Sequence, residues 1–253
     1  MFPFLIKAKN VFLDILFPPI CLNCQKYLNA LADADLTRTN AKNTFNKILC
    51  DSCYSSIKIN NTLFCPVCRA RLANNEKICH FNSPYLLAAA TNYDDPVIQN
   101  LIHYFKYKGL ENLSPILGEI LIKYLEDIFR NSKFIIHNSI LVPIPLHFWR
   151  EKQRGFNQSK LLAKNIANHY NIPLVENLKR IKNTDPQAKS KNSEERIKNI
   201  SGCFEVKNSE SIAGKNVILI DDVFTSGATM DEAVKILKKN GAKKIIALIM
   251  AKV

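Results

Sequence analysis

Two sets of residues in this chain have types and spacing that could do chemistry. The first is a string of thirteen, Val217-Ile-Leu-Ile-Asp221-Asp222-Val-Phe-Thr225-Ser226-Gly227-Ala228-Thr229. An apolar run leads into two adjacent carboxylates. Small hydroxyl residues and a glycine follow, and a helical pattern begins. A loop that opens a helix offers backbone N–H groups and the positive end of the helix dipole to an anion. Gly227 allows close backbone approach, and the hydroxyls of Thr225, Ser226 and Thr229 can donate to the same oxyanion. Asp221 and Asp222 cannot hold a phosphate directly. They suit two vicinal sugar hydroxyls or a hydrated Mg2+. A sugar with a terminal phosphate presents both kinds of partner in one molecule. Two competing readings are a turn with a helix N-cap and an Asp-rich metal site.

The second set is cysteine. Seven of the eight lie before residue 80: Cys21, Cys24, Cys50, Cys53, Cys65, Cys68 and Cys79. Six of them form three Cys-x-x-Cys pairs, and a two-residue spacer lets both sulfurs of a tight turn face one tetrahedral ion. A disulfide framework needs an oxidising compartment, and a redox dithiol normally occurs once, so zinc is the expected ligand. Pairing in chain order gives a first site of Cys21, Cys24, Cys50 and Cys53. The second is Cys65, Cys68 and Cys79, for which His80 is a candidate fourth ligand. The alternatives are an exposed histidine beside an incomplete second site, and an interleaved pairing of the first and third motifs. Four thiolates leave no open coordination position, so the zinc is expected to be structural. It would also supply folding energy to a segment of about 80 residues with few aliphatic clusters. Cys203, alone in Gly202-Cys203-Phe204, reads as a small core residue.

The elements that must position these groups follow from periodicity. Residues 1–20 predict an amphipathic helix, with Phe4, Ala8, Val11, Phe12 and Ile15 on one stripe, stopped by Pro18-Pro19. Residues 21–82 form the Cys-rich unit, and a third unit spans 83–253. In the last, strands are expected at Leu86–Thr91, Ser139–Ile144, Pro173–Val175, Asn216–Ile220 and Lys244–Ala251. Helices are expected at Pro96–Tyr107, Pro115–Arg130, Gln158–Tyr170 and Ala228–Asn240, the last closed by Gly241. Strand–helix alternation of this kind means a parallel α/β sheet with helices on both faces.

Composition narrows the partners. With 253 residues and 47% hydrophobic content the chain can build a packed core. No stretch approaches the roughly 18 uninterrupted apolar residues of a membrane span. Phe2–Ile20 carries Lys7, Lys9 and Asp14 and lacks a small-residue cleavage site, so a soluble, cytoplasmic protein is expected. The net charge of +13 is spread along the chain: residues 1–82 hold 10 basic and 5 acidic residues, and residues 83–253 hold 25 and 17. That excess favours a polyanionic partner such as nucleic acid or a polyphosphate metabolite; the alternative is a solvated lysine-rich surface.

The thirteen-residue string resembles the ribose-5-phosphate signature of type I phosphoribosyltransferases, which bind phosphoribosyl pyrophosphate (PRPP). Three further stretches narrow the resemblance. They are Leu141-Val-Pro143-Ile-Pro145-Leu146 running to Arg154-Gly-Phe-Asn-Gln158, then Lys179-Arg180 with Thr184, Gln187, Arg196, Asn199 and Phe204, and finally Phe105-Lys106-Tyr107-Lys108-Gly109. With the Cys-rich segment they make the chain similar to the ComF family, phosphoribosyltransferase-like proteins with an N-terminal zinc ribbon and a link to natural competence. The resemblance covers about residues 15–253. It departs at Asn82, where the second ribbon of the family would close with a Cys.

The resemblance implies a type I phosphoribosyltransferase-like sheet and PRPP bound, with Mg2+, by Asp221, Asp222 and Thr225 through Thr229. It places pyrophosphate near Pro143, Ile144 and Pro145 and gives Arg154 a phosphate-binding role; the alternative for that stretch is a turn with Asn157 as a helix cap. Seven basic residues within 179–200, Arg180 and Arg196 among them, imply a mobile lid over pyrophosphate, the alternative being a solvated charge run. Lys106 and Lys108 among Tyr104, Phe105 and Tyr107 could hold a nucleic-acid strand, or Phe105 could sit in the core with the lysines in solvent. His103 reads as a surface or core histidine. No nucleophile or general base stands out. That suits loss of pyrophosphate through an oxocarbenium-like state, which needs positioning and charge stabilisation. Two functions follow: transfer of 5-phosphoribose to a nitrogenous base, or a non-catalytic single-stranded-DNA-binding factor that keeps the fold as scaffold or sensor.

Overall fold

Short runs of β-branched and aliphatic residues without charges are suited to strands buried on both faces, and four of them pair in parallel here. In the computed structural model, which describes residues 19–28, 48–72, 79–80, 82–130, 139–184 and 198–253, these are β1 (Leu86–Asn92), β2 (Ser139–Pro143), β5 (Asn216–Phe224) and β6 (Ile245–Lys252). Their order is β1-β6-β5-β2, with Leu87 beside Ala247, Ile220 beside Leu248 and Val142 beside Leu219. The strand expected at Pro173–Val175 is a single parallel bridge from Leu174 to Leu141.

Alternate strand residues feed two cores. Ala88, Ala90, Ile218, Ile220, Ile246 and Leu248 pack with helices α2 (Pro96–Tyr107), α3 (Ser114–Arg130) and α5 (Gln158–Tyr170). Leu87, Ala89, Val217, Leu219, Ala247 and Ile249 face helix α6 (Ala228–Lys239) and an antiparallel pair, β3 (Leu178–Arg180) with β4 (Phe204–Val206). Helix starts match their caps. Asp95 accepts from the N–H of Val97 and Ile98 ahead of Pro96, and Asn157 accepts from Ser159. Gly241, at φ +86°, packs against Ala213 beyond the end of α6.

The Cys-rich segment shares the first core: Cys21, Leu49, Cys53, Leu63, Cys65 and Leu72 are buried in it. A short helix among its described residues, α1 (Asp51–Ser55), is capped by Cys50. The features not expected from the sequence are α1, β3, β4, a 3-10 turn at Glu111–Leu113 and helix α4 (Phe148–Arg154). Residues 1–18, which hold nearly all of the expected N-terminal helix, and residues 185–197, which include Gln187 and Arg196, lie outside the described residues. Among the described residues no helix is long and apolar enough to cross a membrane.

Candidate functional site

Two knuckles in the Cys-rich segment fold alike, 44 residues apart. In each, the first Cys carbonyl accepts from the residue four places on: Gln25 to Cys21 at 3.0 Å, Arg69 to Cys65 at 2.8 Å. The first Cys donates to Lys26 and to Ala70 respectively, and a bridge closes the turn, Ile20 with Tyr27 and Phe64 with Arg71. Gln25 and Arg69 both sit at φ +61°, a left-handed turn that aims both sulfurs inward.

The thiols of Cys21, Cys24, Cys50 and Cys53 lie within 4.8 Å of one another, as do the ligand atoms of Cys65, Cys68, Cys79 and His80. Cys24 and Cys50 sulfurs are 3.7 Å apart. Four Zn–S bonds of about 2.3 Å would give a tetrahedral edge of about 3.8 Å, so the donor set fits zinc. In the second cluster His80 Nδ1 lies 3.4 Å from Cys65 Sγ and 3.3 Å from Cys79 Sγ. The histidine therefore occupies the place left by Asn82, and the interleaved pairing of the first and third motifs does not occur. Burial opposes ionisation of Cys21 and Cys65. The knuckle N–H groups outweigh it: Cys24, Cys50 and Asn23 for the first, Cys68 and Val67 for the second. Each thiol is held down to about 6. A zinc ion in either cluster would cross-link its knuckle, a structural role.

The second set of site residues gathers at the carboxyl ends of β2 and β5. Helix α5, after β2, packs on one face of the sheet and α6, after β5, on the other, so a crevice opens between the two strands. A cleft of about 290 Å³ lies there, lined among others by Lys106, Arg154, Gln158, Arg180, Asp221 and Thr225.

β5 runs on to Phe224, so Asp221 and Asp222 are strand residues rather than the start of a loop. The connection is only Thr225-Ser226-Gly227, and Ala228 and Thr229 belong to the first turn of α6. Gly227 is the N-cap at φ +89°, without a side-chain capping bond. A Cβ there would meet the Phe224 ring at 2.9 Å, so both the backbone and the space demand glycine. The Ala228 N–H of the first turn of α6 meets the Ser226 hydroxyl at 3.5 Å, and Thr225 and Thr229 line the cleft.

Asp221 accepts from Ser159 Oγ at 3.0 Å and from the Asp222 N–H at 2.9 Å. Asp222 accepts from Lys106 Nζ at 2.7 Å. Burial, and then the neighbouring Asp222 carboxylate, push Asp221 up to about 7, with Lys106 pulling the other way. Burial disfavours the Lys106 cation, but Asp222 outweighs it and holds the ammonium above its ordinary value. Lys106 is therefore not a solvent lysine, while its neighbour Phe105 is fully buried. Tyr107, His103 and Lys108 stay exposed.

On the β2 side, Arg154 donates to Gln158 Oε1 at 3.0 Å and lies over the Tyr107 ring at 5.6 Å. Pro143 and Pro145 line a separate pocket with Asn157 and Arg180, and only Ile144 of that trio lines the main cleft. Asn157 also donates to the Ile144 carbonyl. Arg150 and Arg180 both bond Thr184, where the described part of the basic connection stops. Lys179 and Arg180 are strand residues of β3. Two buried donors in the cleft, Gln158 Nε2 and Arg180 Nε, have no partner among the described residues. Gln158 is 1% exposed. An unpaired buried donor is costly, so this corner is suited to an acceptor-rich ligand.

Sequence reasoning missed Ser159, Gln158 and the coupling of Lys106 to Asp222. The only signals were Gln158 inside the Arg154–Gln158 stretch and Lys106 inside Phe105–Gly109. Cys203 is fully buried, as expected.

Comparison with known proteins agrees with this geometry. Residues 157–252 match the phosphoribosyl transferase domain. The chain is 28% identical over 204 residues to "Competence protein F" of Haemophilus influenzae, covering 78% of this chain and 87% of that protein. It is 29% identical over 210 residues to "Competence protein ComFC" of Bacillus subtilis, covering 76% and 79%. It is 25% identical over 203 residues to "DNA utilization protein YhgH" of Escherichia coli, covering 78% and 87%. A phosphoribosyltransferase-like sheet preceded by paired cysteine clusters, with these relatives along most of its length, makes the chain similar to the ComF family.

Proposed function

We infer that the cleft binds PRPP or a related 5-phosphoribosyl ligand, and that the protein transfers 5-phosphoribose to a nitrogenous base. The observation that carries this reading is the Asp221–Asp222 pair beside the start of α6, where Gly227 as N-cap makes no capping bond of its own and Thr225 and Thr229 line the same cleft. The 5-phosphate would accept from the N–H groups and hydroxyls of Thr225–Thr229. The ribose hydroxyls would donate to the carboxylates. Lys106 already balances Asp222, so the pair presents roughly one acceptor charge, which suits vicinal hydroxyls better than a bare divalent ion. Mg2+ would arrive on the pyrophosphate and offset its charge. Arg154, Arg180 and Gln158 donate toward the same cleft and would stabilise pyrophosphate as the C–O bond breaks. Calorimetry with PRPP and Mg2+, followed by a pyrophosphate-release assay across nucleobases, tests both halves. No binding at millimolar PRPP overturns the reading; binding without pyrophosphate release reduces it to a sensor.

A second reading, contact with single-stranded DNA, is supported by α4. Phe148 and Trp149 are 66% and 61% exposed, in edge contact at 5.5 Å, with Lys152 over the Trp149 ring at 5.8 Å. Exposed aromatics among cations can stack bases and meet phosphates. The relatives named for competence and DNA utilization favour the same partner. Trp149 is the only tryptophan of the chain. Its fluorescence should be quenched by an oligonucleotide, with a log–log salt slope of roughly −0.7 per phosphate contacted. No change at about 50 mM salt removes this reading.

A further inference from the structure

The equivalent residues of the two knuckles do different things. Gln25, in the first, reaches through its side chain, among the described residues, only the carbonyl of nearby Leu22. Arg69, in the second, reaches 156 residues along the chain. Its guanidinium donates to the Thr225 carbonyl and, at 2.8 Å, to the Val253 carbonyl, and lies 5.9 Å from the centre of the Phe224 ring. Phe224 is the ring that a Cβ on Gly227 would strike, and Val253 donates back to the Phe224 carbonyl. One side chain therefore ties the end of β5, the residue after β6 and the start of the short connection into one unit.

The base of the second knuckle is itself fixed to the sheet. Phe64 exchanges backbone hydrogen bonds with Leu87 of β1 at 2.7 and 3.1 Å, and Lys252 Nζ lies 4.9 Å from the centre of its ring. From the same junction Tyr85 donates to Asp231, in the first turn of α6, at 2.6 Å. A cation that accepts nothing and satisfies two backbone carbonyls restrains the loop without competing for its N–H groups.

We propose that Arg69 is a positioning residue for the 225–229 loop, and that the Cys65–Cys68–Cys79–His80 cluster, by fixing the turn that carries Arg69, couples metal occupancy to sugar-phosphate binding. The coupling to binding rests on the reading of this loop as the phosphate site; the coupling to loop order does not. A bound ion would cross-link the turn, and Arg69, the residue directly after Cys68, sits in left-handed backbone with its guanidinium on Thr225.

The test uses the full chain. Amide hydrogen exchange of residues 225–229 is measured without ligand, beside zinc content, melting temperature and affinity for ribose 5-phosphate. Arg69→Ala should speed exchange in the loop at least tenfold and weaken ribose 5-phosphate about tenfold, with two zinc ions retained and the melting temperature nearly unchanged. Arg69→Lys should recover only part, because an ammonium cannot span both carbonyls as a planar fork does. Gln25→Ala should change neither readout. His80→Ala should lose one zinc and reproduce the loop effect. Unchanged loop exchange in Arg69→Ala overturns the proposal, as does an equal effect from Gln25→Ala. Faster loop exchange in a protein that binds no ribose 5-phosphate upholds the coupling and sinks the phosphate reading instead.

Discussion

The two knuckles share one backbone and differ in what they touch. The first leans on helices. Asn23 accepts from Asn100 of α2 at 2.9 Å, and Tyr54, beside Cys53, donates to Glu119 of α3 at 3.0 Å and accepts from Lys123 at 2.8 Å. The second leans on the sheet edge and on the loop at the cleft. The ligand sets differ in charge as well. Four thiolates around Zn2+ leave a net charge of about −2, whereas three thiolates and a neutral imidazole leave about −1. The same turn thus serves in one place to hold the helical layer and in the other to hold the site. What a structural metal contributes depends on the residue just outside its ligand pair, glutamine in one knuckle and arginine in the other.

That contrast can be broken or sharpened by substitution. The largest effect is expected from Cys50→Ser. Cys50 caps α1 and its sulfur faces Cys24, so the first cluster would open and the helical core beside it would lose Leu49 and Cys53. Structural zinc is worth on the order of 10 kcal/mol in such units, so the variant should be insoluble or lack a cooperative thermal transition. Cys79→Ser, in the exposed arm of the second cluster, should stay folded and lose one zinc by elemental analysis. Equal damage from the two would erase the distinction.

Next comes Asp222→Asn. It leaves the Lys106 ammonium, largely buried, without its counter-charge. Loss of one partner from such a pair typically costs about 3–5 kcal/mol, and the lower end is expected here because both groups keep some solvent contact. Denaturant titration measures it. Asp221→Asn should instead leave stability close to wild type while weakening PRPP. That outcome would give the two carboxylates unequal shares, with Asp222 bearing more of the fold and Asp221 more of the ligand.

The pH dependence of PRPP binding should be smaller. Asp221 is raised to about 7 by burial and by Asp222. The fold therefore favours its neutral form, and ionising it costs stability as pH rises from about 4 through 7. Binding runs the other way, because the ionised form accepts from ribose hydroxyls. Affinity should fall as pH drops below about 7, by up to about tenfold per unit, and Asp221→Asn should flatten the profile. Calorimetry from pH 5.5 to 8.5 checks this. The smallest effect belongs to Asn100→Ala, which removes one side-chain bond to the first knuckle. A loss of about 1 kcal/mol is expected, with no change in loop exchange at 225–229.

The sequence by itself determined most of the sheet and the identity of the chemical groups. Uncharged aliphatic runs can be buried only between two layers, so Leu86–Thr91, Ser139–Ile144 and Asn216–Ile220 had to be strands covered on both faces. Cys-x-x-Cys turns carry their own geometry, so both cysteine clusters were legible, and the local chemistry of the Asp221–Thr229 string singled out the residues that line the cleft. The tertiary structure decided what depends on residues far apart in the chain. Three-residue β3 and β4 carry too short a pattern to be read, and exist because they pair with each other. His80 completes the second cluster only because the fold brings it to Cys65, 15 positions away. The placement of α5 and α6 on opposite faces opened the cleft, and that follows from which core each helix covers. Lys106 on Asp222 and Arg69 on Thr225 are long-range charge contacts. No local periodicity encodes them, because a cation's partner is chosen by what the folded chain leaves within its reach.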